Sequence, residues 1–486
     1  MSEIPVLKNY IHGKYVNSES GEFFENLNPA TGKVISLVEI AGRAEVEKAV
    51  QSSEEGFQIW SSMSGTQRGR ILNRAVQILR KRNEELAKLE VSDTGKPLSE
   101  AIEVDIHSGA DAIEYYAGLA ASLHGHHYDL GFSFAYTRRE PLGITAGIGA
   151  WNYPFQIAAW KSGPALACGN SMIFKPAELS PITALKLAEV YTEAGVPDGV
   201  FNVVQGFADT GRLLSRHEKI AKISLTGEVN TGKKVMADAA TSLKKVTLEL
   251  GGKSPLIIFS DADLDNAVKA ALMANFYTQG EVCSNGTRVF VEKAIHKEFA
   301  QKLVERTRKI KIGDPMDMST TMGALISKDH YEKVMYYITK ARENGSNIIF
   351  GGKRVQVPGH AGYFIEPAII DDCTDNMQCV QEEIFGPVLS ILPFETEEEV
   401  LKRANHTPYG LAAGVFTCDI QRAHRVVSKL QAGICWINNY NLTPIEIPFG
   451  GYKQSGLGRE NSLATIEYYT QLKTVYVEMG DVTAAF

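Results

Sequence analysis

The sequence predicts an α/β protein built on two units with parallel sheets. Three observations carry that reading. Between residues 143 and 259 short apolar runs alternate with helical stretches. GITAGIGAW precedes a helix over 158–167, SMIFK one over 181–194, FNVV one over 208–216 and AKISL one over 230–240, and VTLEL and SPLIIF follow. This β-α-β-α rhythm argues for a parallel sheet with helices on both faces. A second alternation starts near Asp261. There a helix over 264–277 leads through GEVCSNGTRVFVE to helices over 296–309 and 331–343 and to the strands NIIFGG and LSILPF. The third observation is composition. Of 486 residues, 44% are apolar and 22% charged, which supports large cores and excludes disordered, collagen-like and disulfide-scaffold chains.

Taken in order, the first stretch reads as mostly helical. Ile71, Leu72, Ala75, Val76 and Leu79 share one helical face, and residues 46–60 and 98–119 look similar. Residues 132–139 (FSFAYTRR) and 473–477 read as strands apart from both units. Detached strands often extend a sheet in a neighbouring subunit, so a homo-oligomer, a dimer or tetramer, is expected. The longest uncharged stretch, 141–160, contains three glycines, Thr145, Asn152, Pro154 and Gln156, and reads as a strand and loop rather than a membrane span. The beginning of the chain has no secretory signal. The six cysteines include no C-x-x-C pair, which disfavours structural zinc and fits free thiols in a reducing cytoplasm. A net charge of −7 argues against a nucleic-acid binder.

Several residues could carry chemistry. The dinucleotide fingerprint G-x-G-x-x-G is absent, because Gly147-Ile148-Gly149 is followed at the third place by Asn152. A second glycine turn, residues 226–232, offers either helix N-terminal N–H groups to an anion or an ordinary tight turn. Cys283 lies in a glycine-bounded loop, 280–286, with polar Ser284 and Asn285 after it. It is either a structural thiol or a nucleophile, and a nucleophile needs a base, a cation or a helix N-terminus nearby. Glu249 sits in the otherwise apolar strand VTLEL. It is either paired with Lys244, Lys245 or Lys253, or a base of raised pKa. His124, His126 and His127 are spaced too tightly for a usual zinc site and read as a surface loop. Tyr153, Trp160, Tyr277 and Phe449 are scattered and individually read as core.

GAWNYPFQIAAWKSGPALACGNSMIFKPAE, VTLELGGKSPLIIF, GEVCSNGTRVFV, EEIFGPVLSI and PFGGYKQSGLGREN resemble, in order and spacing, the motifs of the aldehyde dehydrogenase superfamily. The resemblance spans essentially the whole chain. INNYNLTPIEIPFGGYKQSGLGREN, EYYTQLKTVYVEMGD and the run at 138–143 are most similar to its betaine aldehyde and 4-trimethylaminobutyraldehyde subgroup. The fold so implied has a Rossmann-like cofactor domain (1–121 and 143–251), an α/β catalytic domain (252–450) and oligomerisation segments (122–142 and 465–486).

The resemblance also implies site residues. Cys283 would attack the aldehyde carbonyl, and the Asn152 amide and the Cys283 N–H would hold the oxyanion. Glu249 would activate water for release of the acid. Lys161 and Glu460 would relay protons, or form only an ion pair. NAD would lie along Gly149, Ala150, Trp151, Gly206, Gly227, Glu228 and Asn230. Lys175 and Glu178 would bind its adenosine ribose, and Glu178 would disfavour a 2′-phosphate. Glu383 and Phe385 would hold the nicotinamide ribose. The family often has G-S-T where this chain has Gly227-Glu228-Val229, which adds a charge beside the pyrophosphate. Tyr153, Trp160, Tyr277 and Phe449 would surround a quaternary ammonium substrate. Potassium would be held by Asn26, Leu27, Asp93 and Leu179 at one site, and by Leu243, Lys453 and Gly456 at another. The implied reaction is oxidation of betaine aldehyde to glycine betaine, or of 4-trimethylaminobutyraldehyde or another aminoaldehyde. A catalytically silent member of the fold would lack Cys283 or Glu249, and an enzyme passing its acyl group to coenzyme A would not need Glu249.

Overall fold

The computed structural model describes residues 4–486, so the first three residues of the expected 1–121 segment lie outside it. Five parallel strands form the centre of the first sheet, in the spatial order Lys245–Glu249, Ile220–Thr226, Ile144–Ile148, Ser171–Lys175, Phe201–Val203. The strands Ile144–Ile148 and Ser171–Lys175 are buried along their whole length, which is why they read as unbroken apolar runs rather than alternating ones. The strand order reverses beside Ile144–Ile148, since the chain first builds to one side of it and then returns to the other. A reversal of this kind opens a crevice at the carboxyl ends of the strands. Gly149 follows one of the two strands flanking the crevice and Gly227 follows the other.

The second sheet runs Ala368–Asp371, Val388–Phe394, Arg288–Glu292, Pro255–Ile258, Ala412–Phe416, Ile434–Ile437, all parallel, with Asn347–Phe350 antiparallel at one edge. SPLIIF therefore belongs to the middle of this sheet and not to the first unit, where the rhythm of residues 143–259 had put it. The chain returns at its end to the first unit. Gly456–Leu457 pairs antiparallel with Lys245–Glu249 and places Gly456 opposite Glu249.

Two further expectations need correction, and a third gains detail. The first stretch is not mostly helical at its start, because Val6–Leu7, Asn9–Ile11, Lys14–Val16, Phe23–Leu27 and Val34–Glu39 are strands. They are two to six residues long, too brief for a periodic signal. The expected single helix over 98–119 is interrupted. Leu98–Glu100 passes into a π-helical turn, Ala101–Asp105, before the helix Ile106–Leu119. Such a turn shifts the side chains that follow it, and it is frequent at functional sites. Residues 132–139 and 473–477 form a sheet apart from the two main ones. They lie in strands Ser133–Pro141 and Thr470–Val477, which pair antiparallel from Pro141↔Thr470 to Phe134↔Val477, and His127–Leu130 adds a third strand. Large apolar side chains are exposed on and beside this sheet, Phe132 at 75%. His124 and His126 are exposed in the loop before it, and His127, also exposed, opens its first strand and stacks on Phe134. Among the described residues no helix is long and apolar enough to cross a membrane.

Candidate active site

A cleft of about 910 Å³ opens at the switch point of the first sheet and reaches the second unit. Cys283, Glu249 and Asn152 all line it. Asn152 follows the strand Ile144–Ile148 and stands just before the helix Pro154–Ala167. Its amide donates to the Glu281 carbonyl (2.9 Å), two residues ahead of Cys283, so one N–H anchors the cysteine loop and the second is left for a ligand. Before that loop Thr278 and Gln279 adopt φ of 49° and 53°, and both are buried. No cation stands beside Cys283. Burial, and next Glu383 and Glu249, push its thiol up to about 12.

Glu249 ends its strand, 4% exposed, with neither carboxylate oxygen hydrogen-bonded. The simple salt bridge is ruled out. Lys244 donates to the His217 and Ile220 carbonyls, Lys245 to that of Thr470, and the buried Lys253 ammonium has no partner. Burial, then the charge of Glu460, holds Glu249 well above the usual carboxylate range, against the opposing pull of Lys161 and Arg459. Space for it is tight. A Cβ on Gly450 would approach Glu249 Oε1 to 2.7 Å, and one on Gly251 would overlap the Glu383 carboxylate.

Lys161, fully buried, pairs with Glu460 and donates to Ser224 Oγ (2.9 Å), which in turn donates to Glu460 Oε1 (3.3 Å). Glu460 and Phe449 exchange two backbone hydrogen bonds of 2.8 Å, so this pair lies directly behind one of the four aromatics. Trp160 meets Phe449 edge to face at 6.0 Å, and Cys283 packs against the same cluster. Tyr153 Oη is 2.7 Å from Thr278 Oγ1, next to Tyr277. Trp160 and Phe449 are buried in the core of the second unit and Tyr153 packs against that of the first, in keeping with their individual reading as core, and none of the four is on the cleft wall. One face of Tyr153 is already taken, since the Lys96 ammonium lies 3.8 Å from its ring centre.

The cofactor candidates lie farther along the cleft. Lys175 is buried, donates to the Pro176 carbonyl (2.8 Å) and lies 3.6 Å from Glu178, which is 44% exposed at its side chain. Gly149, Ala150, Trp151, Gly227 and Glu228 line the wall. A Cβ on Gly227 would meet nothing nearer than 3.6 Å, so this turn leaves an open cradle before the helix Val229–Ala240. Glu383 accepts from the Gly252 N–H (3.0 Å), and burial pushes it up to about 7. Two candidates are not on the wall. Asn230 lies inside the helix, one residue past its start, and Gly206 is a packing glycine (φ 142°) whose added Cβ would strike Thr210. Sequence reasoning missed His330 and Lys333, which do line it. His330 hydrogen-bonds the Phe385 carbonyl (2.6 Å) and meets Trp151 edge to face at 5.2 Å, and burial lowers it to about 4, so it stays neutral. It fixes Phe385, which has φ 62°. A single histidine in SKDHYEK carries no motif that could have shown this.

Of the potassium candidates, Asn26 Nδ2 donates to Asp93 (2.7 Å), while Asn26 Oδ1 is buried without a partner. Burial raises Asp93 to about 7. Leu27 and Leu179 are 47% and 36% exposed and could offer only carbonyls. The second set is not brought together. Leu243 is 92% exposed before the start of the strand Lys245–Glu249, and Gly456 pairs at its far end, about 13 Å away by strand rise. Lys453 is held by the Asn405 (2.8 Å) and Thr407 (3.1 Å) carbonyls.

Residues 15–475 match the model of the aldehyde dehydrogenase family. The chain is 60% identical to 4-trimethylaminobutyraldehyde dehydrogenase A of Danio rerio, over 94% of this chain and 91% of that one. It is 58% identical to betaine aldehyde dehydrogenase of Vibrio vulnificus, over 98% of each. A solved Bacillus cereus aldehyde dehydrogenase in complex with NAD+ superposes with a TM-score of 0.95 at 40% identity, over 98% of this chain and 97% of the other. With a cleft at the switch point, a thiol and a buried unpaired carboxylate facing it, and this likeness along its length, the chain belongs to the aldehyde dehydrogenase family.

Proposed function

We propose that the protein oxidises a trimethylammonium aldehyde to its acid with NAD+, betaine aldehyde to glycine betaine first, with 4-trimethylaminobutyraldehyde the second candidate. The observation that carries the chemistry is the unpaired Glu249 carboxylate facing the cleft that Cys283 lines. A silent member of the fold would have no use for a buried charge held at this cost. The names of the two relatives support the substrate class.

The cleft fits a dinucleotide: the Gly227 cradle stands before a helix N-terminus, and Glu178 is exposed for ribose hydroxyls. Lys175 and Glu178 would hold the adenosine end, Gly149 to Trp151 and Gly227 the middle, and Glu383 and Phe385 the nicotinamide ribose. NAD+ supplies the hydride acceptor. The Cys283 thiol releases its proton to water in the cleft, and the sulfur adds to the aldehyde carbon. The free N–H of Asn152 and the Cys283 N–H hold the resulting oxyanion. Once hydride has left and a thioester remains, Glu249, poised by its raised pKa, takes a proton from water, whose oxygen attacks the acyl carbon, and the acid leaves as the thiolate re-forms. Lys161 and Glu460 take that proton onward. Asn26, with its orphaned oxygen, and Asp93 would hold one potassium ion; the Leu243, Lys453 and Gly456 set does not form a site within one chain.

Trp160, Phe449, Tyr277 and the open face of Tyr153 receive the trimethylammonium group. Ring contacts at about 0.5–2 kcal/mol each would favour it over a neutral isostere by about 2–4 kcal/mol, roughly 30- to 1000-fold. The test is NADH formation with betaine aldehyde, 4-trimethylaminobutyraldehyde and 3,3-dimethylbutanal. A specificity constant at least about 30-fold higher for the charged aldehydes is expected, and Trp160→Ala should remove most of it. Equal constants in the wild type would leave only a general aldehyde dehydrogenase.

A further inference from the structure

Behind Tyr153 and Tyr277 lies a buried cluster of three carboxylates and one amine: Glu90, Glu100, Asp105 and Lys96. Lys96 is paired with Asp105. Glu90 accepts from Thr183 Oγ1 (2.7 Å) and the Phe155 N–H (3.2 Å). Glu100, on the residue before the π-helical turn, accepts from the N–H (3.2 Å) and hydroxyl (3.0 Å) of Thr278, whose hydroxyl is 2.7 Å from Tyr153 Oη. Glu100 is thus joined through one hydroxyl to the Tyr153 ring, and its charge is felt by both tyrosines. Among the described residues no basic side chain forms an ion pair with it, though the charge of Lys96 pulls against its burial.

We propose that Glu100 is a specificity-determining residue, the counter-charge behind Tyr153 and Tyr277 that favours a cationic aldehyde over a neutral one. This rests on the trimethylammonium reading above. A bare negative charge on Glu100 is unfavourable in this buried setting until a positive ligand arrives, so the group discriminates by charge where rings alone discriminate by shape and quadrupole. Burial lifts Glu100 to about 8, so the free protein holds it largely protonated at neutral pH, and a bound cation draws the proton off. The other charged groups around it are the Lys96–Asp105 pair, Glu90, Glu281 beside His330, and the exposed Glu103 on the next turn.

The test is the ratio of kcat/KM for betaine aldehyde to that for 3,3-dimethylbutanal between pH 7 and 9.5, in the wild type and in Glu100→Gln. The quaternary charge does not titrate, and the ionisations of Cys283 and Glu249, shared by both substrates, cancel in the ratio. The wild-type ratio should rise about five- to tenfold as pH passes 8, and in Glu100→Gln it should stay flat. A second measurement needs no variant: calorimetry of choline binding to the wild type near pH 7.5, in buffers of different ionisation enthalpy, should show proton release. A rise kept in Glu100→Gln, a wild-type ratio that is large but indifferent to pH, or choline binding without proton release overturns the proposal alone. A wild-type ratio near one at every pH overturns the trimethylammonium reading and this proposal with it.

Discussion

Replacing Lys161 by Met removes the ammonium paired with Glu460 and leaves that carboxylate 4% exposed, with Ser224 Oγ at 3.3 Å as its remaining side-chain donor among the described residues. Stranding one member of a buried ion pair costs about 3–5 kcal/mol, because the desolvated charge keeps its penalty and loses its compensation. Lys161→Met should therefore lower unfolding free energy by about that amount in urea. Lys161→Met combined with Glu460→Leu removes both charges and should return stability to within about 1–2 kcal/mol of the wild type. Turnover should behave differently. Glu460 raises the proton affinity of Glu249 and Lys161 lowers it. If they carry protons, the double variant stays stable yet hydrolyses its thioester about tenfold more slowly, which single-turnover kinetics would read as an intact NADH burst before a slow steady state. Wild-type turnover in the stable double variant would show that the pair is only a brace. A cost below about 1 kcal/mol for Lys161→Met would refute the burial argument itself.

Cys283→Ala should abolish NADH formation while NAD+ still binds by fluorescence titration, and appreciable residual turnover would place the nucleophile elsewhere. Glu249→Gln should leave the first NADH burst and depress the steady state; equal loss of both would make Glu249 an activator of the thiol instead. Gly251→Ala should weaken NAD+ binding, since its methyl group occupies the place of the Glu383 carboxylate; an unchanged dissociation constant would separate Glu383 from the cofactor. A homo-oligomer is expected from the exposed apolar side chains at the third sheet, and light scattering that finds a stable 53.3 kDa monomer would defeat it.

The parallel strands were legible because burial on both faces turns them into continuous runs such as SMIFK, and those runs alternate with helices long enough to show a period. The N-terminal strands were not, being only two to six residues long. The π-helical turn was hidden because an extra residue in a helix leaves composition untouched. Cys283 and Glu249 could be singled out as a polar pair in glycine-rich or apolar settings. The absence of a lysine partner for Glu249 could not, because three lysines lie within five residues of it and only their folded directions decide. His330 acts through packing against Trp151 and Phe385, which leaves no local signature.

The pairing of Gly456 with Glu249 has a consequence for biosynthesis. A nascent chain emerges with its thiol long before the ribosome has made the strand that borders its base, or Glu460 behind it. Until that late segment docks, the edge beside Glu249 stands open to water, where a carboxylate is an ordinary ionised surface group. The protein thus completes its chemistry last, after the dinucleotide crevice has formed. Closure over such long sequence separation is slow, so the interval in which unpaired strand edges are available to chaperones or to aggregation is built into the order of the chain.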